Sequence, residues 1–236
     1  IYKNFKILHI FNLLIHTVYF SFYFLFKKES IIHVRGYLPL IFLLFPSIFI
    51  KLNLVFDMRG YWHHEKVDRM GWNKKSLKFY LIDKIEKYFL KKSNKIICLT
   101  QDSKEYLSKY TSLNKIYVIP TCVKVDKFII TKKLNQNINL CYMGTTSKAY
   151  DFTKTLKIFK KLKEIDSKYV LNIFTNDDYK SILKYINEMD IEPKSIVFKK
   201  LDIKGVIENL KYIDFGFFFL KKNFSITASF PTKIGE

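Results

Sequence analysis

The chain has 236 residues, 41 Lys and Arg against 21 Asp and Glu, and a formal charge of +20. It is 49% apolar and 17% aromatic, with only 7 glycines and 5 prolines, which excludes a disordered or low-complexity chain lacking the apolar surface to offset ordering entropy. Three cysteines (Cys98, Cys122, Cys141) without metal-ligand spacing exclude a disulfide scaffold and imply a reducing compartment.

The length suits one large or two small α/β domains. Residue 1 is Ile, and Gly235-Glu236 falls inside what reads as a structured motif, so the sequence is expected to be a piece of a longer protein. Only Arg35, Arg59 and Arg69 are arginines; every other cation is Lys. Abundant Lys, Ile, Asn, Phe and Tyr is what an A/T-rich genome produces. The bulk charge therefore reads first as a solvated lysine-rich face, and second as attraction to anionic membranes or nucleic acid.

Residues 5–26 are long and apolar enough to raise the membrane question. Lys6, His9, Asn12 and His16 nevertheless fall at helical spacing and form a polar stripe. The order of readings is a core-packed helix, an interfacial helix, then a transmembrane span; a signal peptide is excluded. Alternation follows: strand 31–34, helix 38–50 despite Pro46, strand 52–56, amphipathic helix 75–92, strand 95–99, helix 101–110 opened by Thr100, and strand 116–119 ended by Pro120. The pattern restarts with strand 138–143, helix 151–164, strand 169–174, helix 179–189, strand 195–198, helix 203–210 and strand 213–219. Strands alternating with helices imply parallel sheets with crossover helices. Two such runs joined near 127–137 imply two doubly wound parallel-sheet domains, 1–130 and 138–236, in an α/β fold.

Arg35 and Arg59 each follow a strand, in His33-Val34-Arg35-Gly36-Tyr37 and Asp57-Met58-Arg59-Gly60-Tyr61. In a parallel sheet both lie at carboxyl ends, where open α/β sheets bind ligands. Arg brings a rigid donor fork for phosphate or carboxylate, and Gly allows a sharp turn; the alternative is a plain turn with a solvated Arg. Residues 57–72 concentrate Asp57, Arg59, His63, His64, Glu65, Asp68 and Arg69 and read as a polar loop lining a cleft. Adjacent His63 and His64 are poor joint ligands, so no zinc site is expected. Gly144 follows a strand in Met143-Gly144-Thr145-Thr146-Ser147 and leads to a helix, a geometry that suits phosphate, although loop-plus-cap is the plainer reading. Pro231 suits the first turn of a helix that presents Lys233 and Glu236 on one face, for a nucleotide's phosphate and ribose or as a simple ion pair. Asp-x-Asp, P-loop and dinucleotide fingerprints are missing from the sequence.

The ordered segments IIHVRGYLP, LVFDMRGYWHHEKVDRMGW, KIICLTQDSKEYL, YVIPTCVKVDKF, LCYMGTTSKAYDF and SFPTKIGE resemble retaining glycosyltransferases of family 4, with the GT-B architecture of two Rossmann-like domains facing a cleft. The resemblance spans residues 31–236. It implies transfer of a sugar from a nucleotide-diphosphate donor to a glycan or lipid-linked acceptor with retention, in cell-surface polysaccharide synthesis, without cofactor or essential metal. It places the donor against Gly144, Thr145, Lys148, Ser229, Lys233 and Glu236, with Lys233 on the diphosphate and Glu236 on the ribose. The acceptor side would hold Arg35, Asp57, Arg59 and Glu65; no catalytic base is assigned. Three departures stand out: Ala228 replaces the first Glu of the family's Glu-x7-Glu, Thr145 replaces the Arg of the glycine loop, and the later Lys of that loop has only Lys148 nearby. The implied location is cytoplasmic and peripheral at the inner face of the plasma membrane, with an anionic membrane surface as a partner and nucleic acid not expected. The rival readings are a nucleotide-sugar epimerase on the same frame and a non-enzymatic basic module for membranes or nucleic acid.

Overall fold

The computed structural model describes residues 15–20, 22, 23, 26, 30–124, 131–133, 135–146 and 149–235. They form two compact units: residues 1–121 with 223–230, and residues 122–222 with 231–236. The expected division at 130 and 138 thus falls earlier, and residues 223–230 belong with the first unit.

In the first unit the strands β1 (Ile31–Arg35), β2 (Asn53–Asp57), β3 (Lys95–Cys98) and β4 (Ile116–Val118) form a parallel sheet in that order. The helices α1 (Leu38–Phe49), α2 (Trp62–Met70), α3 (Leu77–Lys92) and α4 (Gln101–Leu107) accompany it. Strand alternation turns Val34, Leu54, Phe56 and Ile96 into a core shared with Leu40, Phe89, Leu90 and Leu107. Ser76 and Thr100 cap α3 and α4 by accepting from Phe79 N–H and Ser103 N–H.

The second unit carries β5 (Ile138–Met143), α5 (Phe152–Ile165), β6 (Tyr169–Phe174), α6 (Tyr179–Glu188), β7 (Ile196–Lys199), α7 (Ile203–Leu210) and β8 (Phe215–Phe217). Its strands are also parallel, in the order β7-β6-β5-β8. β5 and β6 hold runs of buried residues, as expected of a sheet covered on both faces. Leu156, Phe159, Leu171, Ile173 and Ile182 are the fully buried centre.

Two sequence readings change. Residues 57–72 are not a loop: Trp62–Met70 is helical and ends at Gly71, whose φ of 66° is the left-handed cap that glycine adopts without strain. Of the amino-terminal helix, residues 15–20, 22, 23 and 26 are described and Lys6, His9 and Asn12 lie outside the described residues. The described part is not core-packed as expected. Phe20 touches the core and His16 and Phe20 meet Phe42, but Val18, Tyr19, Phe22 and Phe26 are exposed. Among the described residues no helix is long and apolar enough to cross a membrane.

Phe159→Ala removes a ring from the centre of the second core, and the loss of burial plus the residual cavity costs about 3–5 kcal/mol. Ile165→Ala, at the exposed carboxyl end of the same helix, changes stability by less than about 0.5 kcal/mol. Urea unfolding of the two variants checks the difference.

Candidate functional site

The carboxyl edge of the first sheet gathers Arg35, Asp57 and Arg59. Arg35 and Asp57 are register partners on β1 and β2, so their side chains leave the same face, with His33 two residues earlier. Asp57 is 7% exposed, yet its carboxylate meets His33 Nε2 at 3.6 Å, Arg35 Nε at 4.0 Å and Arg59 Nη1 at 4.0 Å. Arg59 Nη2 donates to Thr121 Oγ1 at 2.9 Å, which fixes its fork. Asp57 Oδ1 makes no hydrogen bond among the described residues. Two guanidinium groups against one carboxylate leave a surplus positive charge at this edge, suited to an anionic ligand.

The two Arg-Gly-Tyr turns are tied together by their third residues. Gly36 (φ 78°) and Gly60 (φ 142°) take backbone angles that L side chains rarely adopt. The Tyr37 hydroxyl donates to Gly60 O at 3.0 Å and also contacts Glu86 Oε2. Tyr61 is fully buried and stacks on Phe224, with centroids 5.0 Å apart and rings 15° from parallel. The tyrosines are therefore anchors, while the arginines project. Glu65, in the first turn of α2, abuts Gly60 so closely that a Cβ there would lie 2.6 Å from Glu65 Oε1. Its partner is Arg69 at 3.6 Å, and burial raises its pKa. Glu65 thus braces the turn that carries Arg59.

Behind these turns lies a buried polar cluster that sequence reasoning missed. His63 is fully buried, 3.6 Å from Glu86 and 3.7 Å from Asp83. Burial pushes His63 down to about 4 and Glu86 up to about 7, and raises Tyr37 well above its ordinary range. A protonated Glu86 can donate to the Tyr37 oxygen while Tyr37 donates to Gly60, which satisfies the three groups together. Glu86 is an α3 position that periodicity alone assigns to an apolar face.

In the second unit, the turns after β5, β6 and β7 open onto a cavity of about 610 Å³. Val123, Phe174, Leu201, Ile203 and Val206 give it apolar walls; Lys124, Lys233, Thr145, Thr175 and Asn176 give it cations and hydroxyl or amide groups. Gly144 has a φ of 128°, and a Cβ there would lie 2.9 Å from Lys233 Cε, so the lysine stem lies across the glycine. The thiol of Cys141 on β5 is pushed up to about 12 by burial, with Lys233 the opposing influence.

Gly144, Thr145 and Lys233 come together as expected, but the turn is not an open phosphate nest. Gly144 N–H donates to Phe174 O at 2.9 Å. Thr146 N–H and Oγ1 both donate to Asp177, at 2.5 and 2.7 Å. Helix α5 begins only at Phe152 and its amino end is capped by Asp151, which accepts from Lys154 N–H at 3.0 Å. The expected helix amino terminus is thus already paired with a carboxylate. Pro231 precedes a short 3-10 turn, Thr232–Ile234. Ser229 lies with the first unit, where its Oγ donates to Ser225 O at 3.3 Å, and it is not among the residues lining the cavity. Lys148 and Glu236 lie outside the described residues. Thr175, Asn176 and Leu201 escaped the sequence reading, although their positions just past strand ends mark the same edge. Among the described residues no three His, Cys, Asp or Glu side chains group as a metal site.

No protein-family model and no curated protein sequence matches the chain. Solved structures do. A glycosyltransferase from Rickettsia africae ESF-5 is similar over 87% of this chain and 55% of its own, at 13% identity and a TM-score of 0.60. A sucrose-phosphate synthase from Thermosynechococcus elongatus is similar over 83% of this chain and 52% of its own, at 12% identity and 0.58. The lipopolysaccharide outer core galactosyltransferase WaaB is similar over 87% and 54%, at 14% identity and 0.55. The chain spans about half the length of these structures. The likeness shows the fold: two parallel-sheet α/β units of the GT-B type seen in glycosyltransferases.

The buried His63 and Glu86 make a pH prediction. Between about 4.5 and 6.5, their ordinary values, the unfolded chain holds one proton on the pair, on His63. The folded chain, with His63 at about 4 and Glu86 at about 7, also holds one, on Glu86, so the pair gives stability no slope there. Glu86→Gln leaves only the depressed His63, and stability falls as pH drops from 6.5 toward 4. His63→Asn leaves only the raised Glu86, and stability falls as pH rises from 4.5 toward 7. Each slope approaches about 1 kcal/mol per pH unit. Urea melts across this window check for slopes of opposite sign in the two variants.

Proposed function

We propose that the chain belongs to a retaining, family 4 glycosyltransferase whose second unit holds a nucleotide-diphosphate sugar. The observation that carries this reading is the cavity at the carboxyl edge of β5, β6 and β7, with Lys233 lying over Gly144. Apolar walls suit a nucleoside, and Lys124 and Lys233 suit its phosphates; about 610 Å³ falls within the roughly 300–1,000 Å³ of small-molecule sites. Breaking the anomeric bond develops negative charge on the departing diphosphate, and a fixed ammonium stabilises that charge most in the transition state. Neutralisation by Lys233 makes an essential metal unnecessary in this reading. Glu236 and Lys148 keep their resemblance-based roles as donor contacts under this proposal, whereas Ser229, packed with the first unit, does not.

The acceptor, a glycan or lipid-linked sugar of cell-surface polysaccharide synthesis, is assigned to the arginine edge of the first unit. Arg35 and Arg59 would hold an anionic group there, Asp57 would orient both guanidinium groups, and Glu65 would brace the turn of Arg59. A cytoplasmic, peripheral membrane location is supported by exposed Phe22, Phe26, Phe45 and Phe49 on a chain of formal charge +20.

Calorimetric titration of the full-length protein with UDP, GDP and ADP, followed by turnover on a panel of nucleotide sugars, tests the reading. Lys233→Ala is expected to weaken nucleoside diphosphate binding about tenfold to a hundredfold, since a hydrogen bond to a charged group contributes about 1.5–3 kcal/mol; binding by neither protein overturns the proposal. Arg59→Lys keeps the charge but loses the fork, and transfer is expected to fall at least about tenfold with nucleotide affinity unchanged. Unaltered transfer kinetics in that variant would remove Arg59 from the acceptor site.

A further inference from the structure

Beside the arginine edge the first unit holds a second cavity, of about 350 Å³. Leu38, Pro39 and Ile41 from α1, Ile82 and Ile85 from α3, and the Trp62 ring provide most of its wall. The Tyr37 hydroxyl is already engaged by Gly60 and Glu86, which leaves the Arg35 guanidinium as the charged group of the lining and the Trp62 indole N–H as a single neutral donor. Sugar hydroxyls placed against the leucine, proline and isoleucine walls would lose their water with few partners to replace it. Hydrocarbon would not.

The charge around the cavity favours an anion. The Arg35 side chain is 69% exposed, and Lys66 Nζ lies 5.3 Å from the Trp62 ring centroid. The neighbouring carboxylates are occupied: Asp57 faces His33 and Arg59 as well as Arg35, Asp83 pairs with Lys87 at 2.8 Å, and Glu86 is buried against Tyr37. An apolar cavity with a guanidinium in its lining matches a chain of methylenes ending in a phosphate.

We propose that this cavity takes the hydrocarbon chain of an amphiphilic acceptor whose phosphate is held by Arg35, that is, an alkyl- or polyprenyl-phosphate-linked glycan. The proposal rests on the glycosyltransferase reading and narrows its acceptor from a glycan or lipid-linked sugar to a lipid phosphate.

Trp62 and Trp72 are the chain's two tryptophans, so Trp72→Phe leaves Trp62 as a reporter in the cavity wall. The full-length Trp72→Phe protein is titrated with decyl phosphate below its micellar concentration, with decanol and with inorganic phosphate, following Trp62 fluorescence. Saturable binding of decyl phosphate at least about tenfold tighter than either decanol or phosphate is expected. Arg35→Gln, a change at an exposed side chain, should bring decyl phosphate down to the level of decanol. Ile85→Phe, which fills the cavity, should abolish both responses. Decanol binding as tightly as decyl phosphate shows a plain apolar patch, and phosphate binding as tightly shows a bare anion site. Either result, or an unchanged preference in Arg35→Gln, overturns the proposal. Nucleoside diphosphate binding is read separately on the same protein: its failure overturns the glycosyltransferase reading and the acceptor role with it, whereas failure of decyl phosphate overturns this proposal alone.

Discussion

Parallel pairing governs where chemistry can occur in this chain, because strands that all run one way deliver every strand-to-helix turn to the same edge of the sheet. Each pair among the described strands is parallel, four strands in each unit. The sheet interiors are therefore apolar runs buried on both faces, and irregular backbone collects at the carboxyl ends. Arg35, Asp57 and Arg59 in the first unit, and Gly144, Thr175 and Leu201 in the second, are all residues that close or follow a strand. Their convergence needs no special device beyond register: Arg35 meets Asp57 because the two are paired across β1 and β2.

Holding the turns at that edge requires polar groups in the interior, which is costly unless they are satisfied. The first unit meets this with Tyr37, Glu86 and His63. Burial raises Glu86 to about 7, with Asp83 adding to the shift and the Tyr37 hydrogen bond and Lys87 opposing it, so the neutral form prevails below neutral pH. As a neutral acid it both donates and accepts, so one hydroxyl can bridge to Gly60 without leaving an orphan group. The network links α3 to the turn preceding Trp62 and to the turn following β1. It converts two flexible glycine turns into a fixed base for two guanidinium groups. A hydrophobic replacement could fill the same space, but it would leave the Gly60 carbonyl without its partner and the turns without a shared anchor.

Much of this was readable in advance, for physical reasons that also explain the failures. β5 and β6 are bounded where the apolar runs and turn residues place them, because burial on both faces leaves little choice of register. Helix α2 was hidden because its inward residue is a histidine: WHHEKVDRM has no apolar period of three or four, yet His63 is as buried as any leucine of the core. The return of residues 223–230 to the first unit is equally invisible locally. It depends on Phe224 stacking on Tyr61 and on Ser225 N–H donating to the Asp68 carboxylate at 3.1 Å, contacts across more than 150 positions. The resemblance sets Ser229 in the donor segment SFPTKIGE, whereas the packing boundary falls inside that segment, between Phe230 and Pro231. Thr175 and Asn176 were overlooked because uncharged residues carry no signal until the strand that ends beside them is known.

The pairing of Gly144 with Lys233 shows how two weak sequence signals become one strong structural one. A lone glycine after a strand is usually only a turn, and a lone lysine near a helix start is usually only solvated. At Gly144 a side chain would act in two ways: the φ of 128° would strain the backbone, and a Cβ 2.9 Å from Lys233 Cε would push the lysine stem off the turn. The lysine stem can cross the strand end only because the glycine leaves room, and the turn is held against movement by Phe174 O and Asp177 on the neighbouring strand and loop. A cation on a four-carbon stem is ordinarily a diffuse charge with large rotamer entropy. Laid across a rigid glycine turn, much of that entropy is already lost, so an incoming phosphate has less ordering cost to meet. The glycine thus matters less as a phosphate cradle in its own right than as the clearance that positions the lysine.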